Sequence, residues 1–431
     1  MRPFRVFCLL FAIGFISCKT NNQNQIYIKK EANGFKLLVA EKNFIINGMN
    51  WDYIPIGTNY SYDFWNKPDN FIKSALDTEM KMLQEINVNA IRVYVGIPKK
   101  WITYIYKNYG IYTMLNHSFG RYGLTVNGTW KSVTDYRDLA TQKVLLSEIT
   151  DMVNTYKNTP GLLLYLLGNE NNYGLFWSGA ETEDFPDDDE MKKEMGEVRG
   201  RPMYKLFNKA ALKIKSLDTN RPVAICNGDL LYIDIIAEEC ENIDIFGTNI
   251  YRGASFTNAF LEIKNKINKP VLFTEFGSDA FNSITEKEDQ EMQAYYLKEN
   301  WKEIYLNTAN KKLANNSIGG FTFQFSDGWW KFGQTKDLHV HNQEASWSNG
   351  GYAKDLKEKG TNNMNEEWFG ICAKGKTDAN GFYKLKPRAA YYILKEIHKL
   401  DIYKSDINSE KIEDYFSKIN IKKALNKAQK N

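Results

Sequence analysis

Short apolar runs alternate with longer stretches of helical period from about residue 44 to residue 399. Eight of the short runs read as strands: FIINGMNW (44–51), VNAIRVYVG (88–96), IYTMLNH (111–117), LLLYLLGNE (162–170), PVAICNGD (222–229), IDIFGTNIY (243–251), PVLFTEFG (270–277) and GGFTFQFSD (319–327). Between them Ile72, Leu76, Met80, Leu83 and Ile86 fall three or four apart, so that one helical face is apolar. Asp69 is the expected N-cap of that helix. Leu139, Leu146, Ile149, Val153 and Tyr156 repeat the pattern, and a closing helix is expected from Pro387 through Ala390, Ile393, Leu394 and Ile397. Strands and helices alternating in this way predict βαβ units and a parallel sheet, and eight of them predict an α/β fold of the (β/α)8 TIM-barrel type. A doubly wound open sheet is the alternative, weakened by the lack of a GxGxxG or phosphate loop at any strand-to-helix turn.

Before the barrel, Asn33-Gly34 separates two strand-like runs and predicts a short N-terminal β-hairpin with positive φ at both turn positions. The expected organisation is a leader over 1–18, a spacer and hairpin over 19–43, the barrel over 44–400, and a polar, lysine-rich tail over 401–431 holding a peripheral helix and a frayed end. Two loops are long, one after strand four (Asn171 to about Met203) and one after strand eight (Lys331 to Glu367). The second contains Trp347, Asn349 and Tyr352, residue types suited to contacting a carbohydrate. The acidic run ETEDFPDDDE (181–190) lacks EF-hand spacing and reads as a solvated loop.

Composition narrows the function classes. With 43% hydrophobic and 25% charged residues in 431, the chain can bury a large core, and a net charge of +4 with no basic stripe argues against a nucleic-acid partner. Five cysteines without a CxxC pair supply neither a zinc knuckle nor a dithiol site. Arg2 and Arg5 precede the apolar run FCLLFAIGF, then Ser17-Cys18 and the polar KTNNQNQ, the layout of an export signal. FISC resembles a bacterial lipoprotein signal, with Phe15 where leucine is usual. That resemblance implies lipidation of Cys18 and an exported domain anchored to a membrane of the cell envelope. No other apolar run is long enough to span a bilayer.

In a barrel, functional side chains gather where strands end. Those ends carry Asn50-Trp51, Arg92, Asn116-His117, Asn169-Glu170, Asn249 with Tyr251, Glu275, and Asp327 with Trp329-Trp330. Glu170 and Glu275 each follow a wholly apolar strand that has no structural need of a terminal acid. Two carboxylates facing one cleft are what glycosidic cleavage requires, one to protonate the leaving oxygen and one to attack or stabilise the anomeric carbon. The parts for serine, metalloprotease or phosphate chemistry (GxSxG, HExxH, a phosphate loop) are missing.

GNE closing the fourth strand and TEFG closing the seventh, with 275 − 170 = 105 residues between the glutamates, resemble the clan A retaining glycoside hydrolases of families 2 and 5. FIINGMNWDYIP resembles the barrel start in family 2, and EWFGI with KPRAAYYILKEI resembles its close. The resemblance implies Glu170 as acid/base, Glu275 as nucleophile and Asn169 as a donor to the sugar 2-hydroxyl. It further implies Arg92 and Tyr251 beside the nucleophile, His117 as a polar subsite residue, and Trp329 or Trp330 as the platform under the reacting sugar. Trp51, at the first strand end, is a further candidate sugar contact. The implied activity is a retaining β-glycosidase acting on a poly- or oligosaccharide, with no cofactor. The rival readings are a transglycosidase on the same scaffold, a non-catalytic carbohydrate-binding lipoprotein, and a metal-dependent hydrolase built on His339 and His341. The sequence carries no signal for sugar, linkage or oligomeric state.

Overall fold

The computed structural model describes residues 25–94, 96–175, 188–282, 285–331, 333–343 and 365–430. Eight parallel strands close into a barrel: Ile46–Asn50, Ala90–Val93, Tyr112–His117, Leu162–Leu167, Val223–Gly228, Ile245–Asn249, Val271–Phe276 and Ser317–Thr322, called here the first to eighth. The eighth pairs with the first, Gly320 opposite Asn47, so no edge is left open. Each strand is shorter than its apolar run suggests. The polar residues at and just beyond the strand ends form the rim at the C-terminal end of the barrel.

The fourth and seventh strands are buried along their whole length, as expected where helices cover one face and the barrel interior the other. The first covering helix, Asp69–Glu85, buries Ile72, Leu76, Met80 and Leu83 as its period predicts. Its N-cap position is Pro68 rather than Asp69, which is the first helical residue. In Leu139–Tyr156 the buried positions are Thr141, Leu145, Ile149 and Val153, so the buried stripe runs through Leu145 instead of Leu146. The closing helix is Ala389–Ile397, because Pro387 still belongs to a strand, Tyr383–Pro387, paired antiparallel with Cys372–Thr377.

The N-terminal element is a three-stranded antiparallel sheet, Ile26–Glu31, Gly34–Val39 and Lys42–Phe44. Its first turn is Ala32-Asn33, since Glu31 pairs with Gly34, and of Asn33 and Gly34 only Gly34 has positive φ. The sheet caps the barrel floor: Ile26 and Leu37 pack with Ile46, Ala90, Met114, Leu164, Ala224, Ile245, Leu272 and Ile318. The loop after strand four is largely helical from Asp189 onward, through Asp189–Met195 and a wide turn at Gly196–Gly200 into Arg201–Leu217. Trp347, Asn349, Tyr352, most of the acidic run and the leader with Cys18 lie outside the described residues.

Behind the eighth strand, Asp327 does not face the cleft. Arg388 donates to both of its carboxylate oxygens, at 2.6 and 2.7 Å, and both residues are buried, locking the closing segment onto the strand exit. The tail corrects the expectation of fraying. Ser409–Ser417 and Ile421–Ala428 are helices, Ile412 and Phe416 are buried, and the Phe416 ring meets Tyr305 edge-on at 5.9 Å. Replacing Phe416 with Ala should therefore cost about 3 kcal/mol in urea or guanidinium unfolding. A frayed tail would leave the midpoint within experimental error of the parent.

Candidate active site

Arg92 is the centre of the site. It lies near the end of the second strand, fully buried, and its guanidinium meets groups at the ends of the third to seventh strands. Nη1 donates to Glu275 Oε1 at 2.8 Å and to the Thr274 carbonyl at 3.2 Å; Nη2 donates to Asn169 Oδ1 at 2.7 Å; Nε donates to Asn116 Oδ1 at 2.9 Å. Charge-assisted bonds of this kind fix orientation as well as contributing energy.

Glu275 leaves the seventh strand with 8% of its surface exposed. Besides Arg92, its Oε1 accepts from the Tyr94 hydroxyl at 2.6 Å, and its Oε2 accepts from the Tyr251 hydroxyl at 3.1 Å. Burial, followed by the Glu275 charge, pushes the Tyr251 hydroxyl well above its ordinary range, so it stays a donor. Asn169 joins the same cup. Its Oδ1 also accepts from Asn249 Nδ2 at 3.1 Å and its Nδ2 donates to Tyr122 Oη at 2.8 Å.

Glu170 is set by its backbone. After Gly168 at φ 84, the chain passes through Asn169 to Glu170 at φ 55, and Glu170 N donates to the Cys226 carbonyl at the end of strand five, at 3.0 Å. A non-glycine residue in the left-handed region costs of order 1 kcal/mol and persists where its surroundings hold it. Glu170 directly follows Asn169, which the Arg92 guanidinium holds beside Glu275.

Two predicted sugar contacts lie elsewhere. Side chains alternate along a strand, and Asn50 and Asn116 take the inward positions. Trp51 and His117 therefore point out to the helices. Trp51 is 1% exposed and its indole donates to Glu79 Oε2 at 2.6 Å, which removes it from any ligand. His117 Nδ1 accepts from Phe119 N, its Nε2 stands 3.5 Å from Glu148 Oε2, and burial drops its pKa to about 4, leaving it neutral. Trp329 stacks on His341 at 4.5 Å and Trp330 tilts against Tyr60 at 5.8 Å, both half-buried in the loop after strand eight. The ring from that strand exit that adjoins the Glu275 cup is Phe323, edge-on to Tyr251 at 6.3 Å. Tyr94 and Phe323 are the residues that sequence reading missed; Asn50 was read as a strand-end residue but given no role. Tyr94 was accessible from parity, two positions beyond inward-facing Arg92.

His341 is sandwiched between Trp329 and Trp368, with Nε2 3.0 Å from the Glu367 carbonyl. Among the described residues, no group of three or more His, Cys, Asp or Glu side chains converges as metal ligands would.

With this geometry, comparisons with known proteins become decisive. Residues 33–330 match the model of the glycosyl hydrolases family 2 TIM barrel domain. The chain belongs to glycoside hydrolase family 2. Solved structures of the same fold include a β-glucuronidase from Bacteroides uniformis (13% identity, TM-score 0.54, covering 87% of this chain and 37% of that one). They also include a β-D-glucuronidase from Dictyoglomus thermophilum (16%, 0.51, 87% and 53%) and a β-galacturonidase from Eisenbergiella tayi bound to galacturonate (16%, 0.50, 87% and 54%). This chain thus spans between about a third and just over half of those proteins. A comparison with curated proteins finds no match.

The outward contact of Trp51 gives a pH prediction. Burial foremost raises the Glu79 pKa to about 8, against the opposing Trp51 hydrogen bond and the Lys374 charge. The native state then holds a proton that the unfolded chain, with an ordinary carboxyl near 4.5, has released. Linkage makes stability fall as pH rises through that window and not recover above it. Glu79→Gln should flatten the decline in melting temperature between about pH 5 and pH 8; an unchanged slope would refute the assignment.

Proposed function

We propose that the protein is a retaining β-glycosidase working by double displacement, with Glu275 as nucleophile and Glu170 as acid/base. The observation that carries the reading is the Glu275 carboxylate, gripped by Arg92, Tyr94 and Tyr251 in the cup that also holds Asn169 and adjoins Glu170. A cation and two phenols on one carboxylate fix its orientation, which an attacking group needs.

In the first step a Glu275 oxygen bonds the anomeric carbon while the bond to the leaving oxygen breaks and Glu170 delivers its proton to that oxygen. In the second step Glu170 takes a proton from water, the water oxygen bonds the anomeric carbon, and the ester to Glu275 breaks, restoring both carboxyls. Asn169, held by Arg92 and Asn249, is positioned to meet the hydroxyl beside the anomeric carbon. Phe323 offers a half-buried apolar face under the reacting ring.

The substrate class is a β-linked oligo- or polysaccharide, reached outside the cell. The export leader and the Cys18 lipid tether are part of the proposal and rest on the residue pattern of the leader. A Cys18→Ala chain should lose incorporation of labelled fatty acid, and continued incorporation would remove the tether.

The activity is tested with 2-deoxy-2-fluoro glycosides carrying good leaving groups, uronides included because solved structures of this fold are glucuronidases and a galacturonidase. A covalent glycosyl adduct is expected on Glu275, absent from Glu275→Gln. Glu170→Gln should lower kcat/KM on an unactivated glycoside roughly 10²–10⁴-fold, and far less when the leaving group needs no proton. Glycan binding with no adduct and no turnover would instead make the chain a binding protein.

A further inference from the structure

The two oxygens of Glu275 are not equivalent. Oε1 accepts from Arg92 at 2.8 Å and from Tyr94 at 2.6 Å, whereas Oε2 accepts from Tyr251 at 3.1 Å. The Tyr94 hydroxyl has a second acceptor, Asn50 Oδ1, at 2.8 Å. Asn50 is fully buried, and its Nδ2 donates to the carbonyls of Thr274, Phe321 and Thr322 at 3.2–3.3 Å, which fixes the amide and turns Oδ1 toward Tyr94. A phenol has one proton to donate. Burial holds that proton on Tyr94, whose pKa lies well above the ordinary range.

The geometry points to Tyr94 as a positioning residue for the second chemical step: it marks Oε1 as the oxygen that does not bond the sugar, and it passes its hydrogen bond between Glu275 and Asn50 as the glycosyl-enzyme forms and breaks. This rests on the proposed role of Glu275. The argument is one of acceptor strength. An ionised carboxylate outcompetes an amide oxygen for the proton. Once Oε2 is esterified to the anomeric carbon, Oε1 becomes an ester carbonyl, a poorer acceptor than the amide, and Asn50 takes the bond. When water displaces the sugar, negative charge returns to the carboxylate and the hydroxyl turns back to meet it. The bond is thus weak in the intermediate and strong in the departing carboxylate, so it accelerates deglycosylation. In the first step it is present at the start and fading at the transition state, so it gives no acceleration there.

Tyr94→Phe separates this from a packing role, because the ring beneath the Arg92 guanidinium, 4.5 Å away, is kept. On a dinitrophenyl glycoside, where deglycosylation limits turnover, kcat should fall about tenfold, KM should fall with it, and kcat/KM should stay within about threefold of the parent. Intact-protein mass spectrometry during turnover should find the glycosyl-enzyme in a larger fraction of molecules than in the parent. A loss of kcat/KM equal to the loss of kcat, with KM unchanged and no accumulation, would overturn the proposal. If the variant does not fold, as a melt will tell, 3-fluorotyrosine at position 94 keeps the shape and strengthens the donor, and must raise kcat and KM together; no change, or a fall, overturns it. The 2-fluoro adduct keeps the two readings apart: no adduct on Glu275 in the parent removes the nucleophile itself, whereas an adduct with the wrong kinetic pattern removes only the role of Tyr94.

Discussion

A guanidinium sealed from water has to find its partners inside the protein, and the arrangement of this site follows from how Arg92 finds them. Leaving such a charge unpaired costs several kcal/mol, so the strand ends around it must present acceptors. They do: Asn116 on the third strand, Asn169 beyond the fourth, Asn249 on the sixth, and Thr274 with Glu275 on the seventh. Cys226 fills the fifth position, its thiol among the same groups at 3.2–3.6 Å. One buried cation thereby joins into a single network polar side chains that also bond one another and the neighbouring backbone.

The same ring explains which parts of the site could be read from the sequence. The residue types were visible because polar groups break apolar runs at strand ends, and that pattern needs no knowledge of neighbours. Which of two adjacent polar residues faces inward is a matter of parity and of where pairing stops. Asn50 and Asn116 take the inward positions, so Trp51 and His117 pack against helices, and an aromatic or histidine at a strand end gives no warning of that. Tyr94 and Tyr251 each stand two residues beyond an inward-facing partner, Arg92 and Asn249, and only the second of these pairs was picked out in the sequence.

Elsewhere the limits were set by context. The eight strands and their order were legible because burial on both faces leaves long apolar runs. The end of the eighth was not: the apolar run continues through Phe325, but pairing stops at Thr322, and the ring facing Tyr251 is Phe323 rather than a tryptophan farther along. The tail holds the peripheral helix that was expected, but its end is a second helix and not frayed. Its helices dock through few apolar residues, Ile412, Phe416 and Ala424, which lysine-rich composition conceals.

The two glutamates proposed for the chemistry enter the site from different strand ends, Glu275 on the seventh strand and Glu170 just beyond the fourth. Glu275 is oriented through its side chain by three donors, Arg92 and Tyr94 on one oxygen and Tyr251 on the other. Glu170 is fixed through its backbone, in a left-handed turn tied to strand five. The strained φ at Glu170, held by the Cys226 carbonyl, turns the chain directly after Asn169, so the strand exit that supplies Asn169 to the Arg92 ring also carries the proposed acid/base.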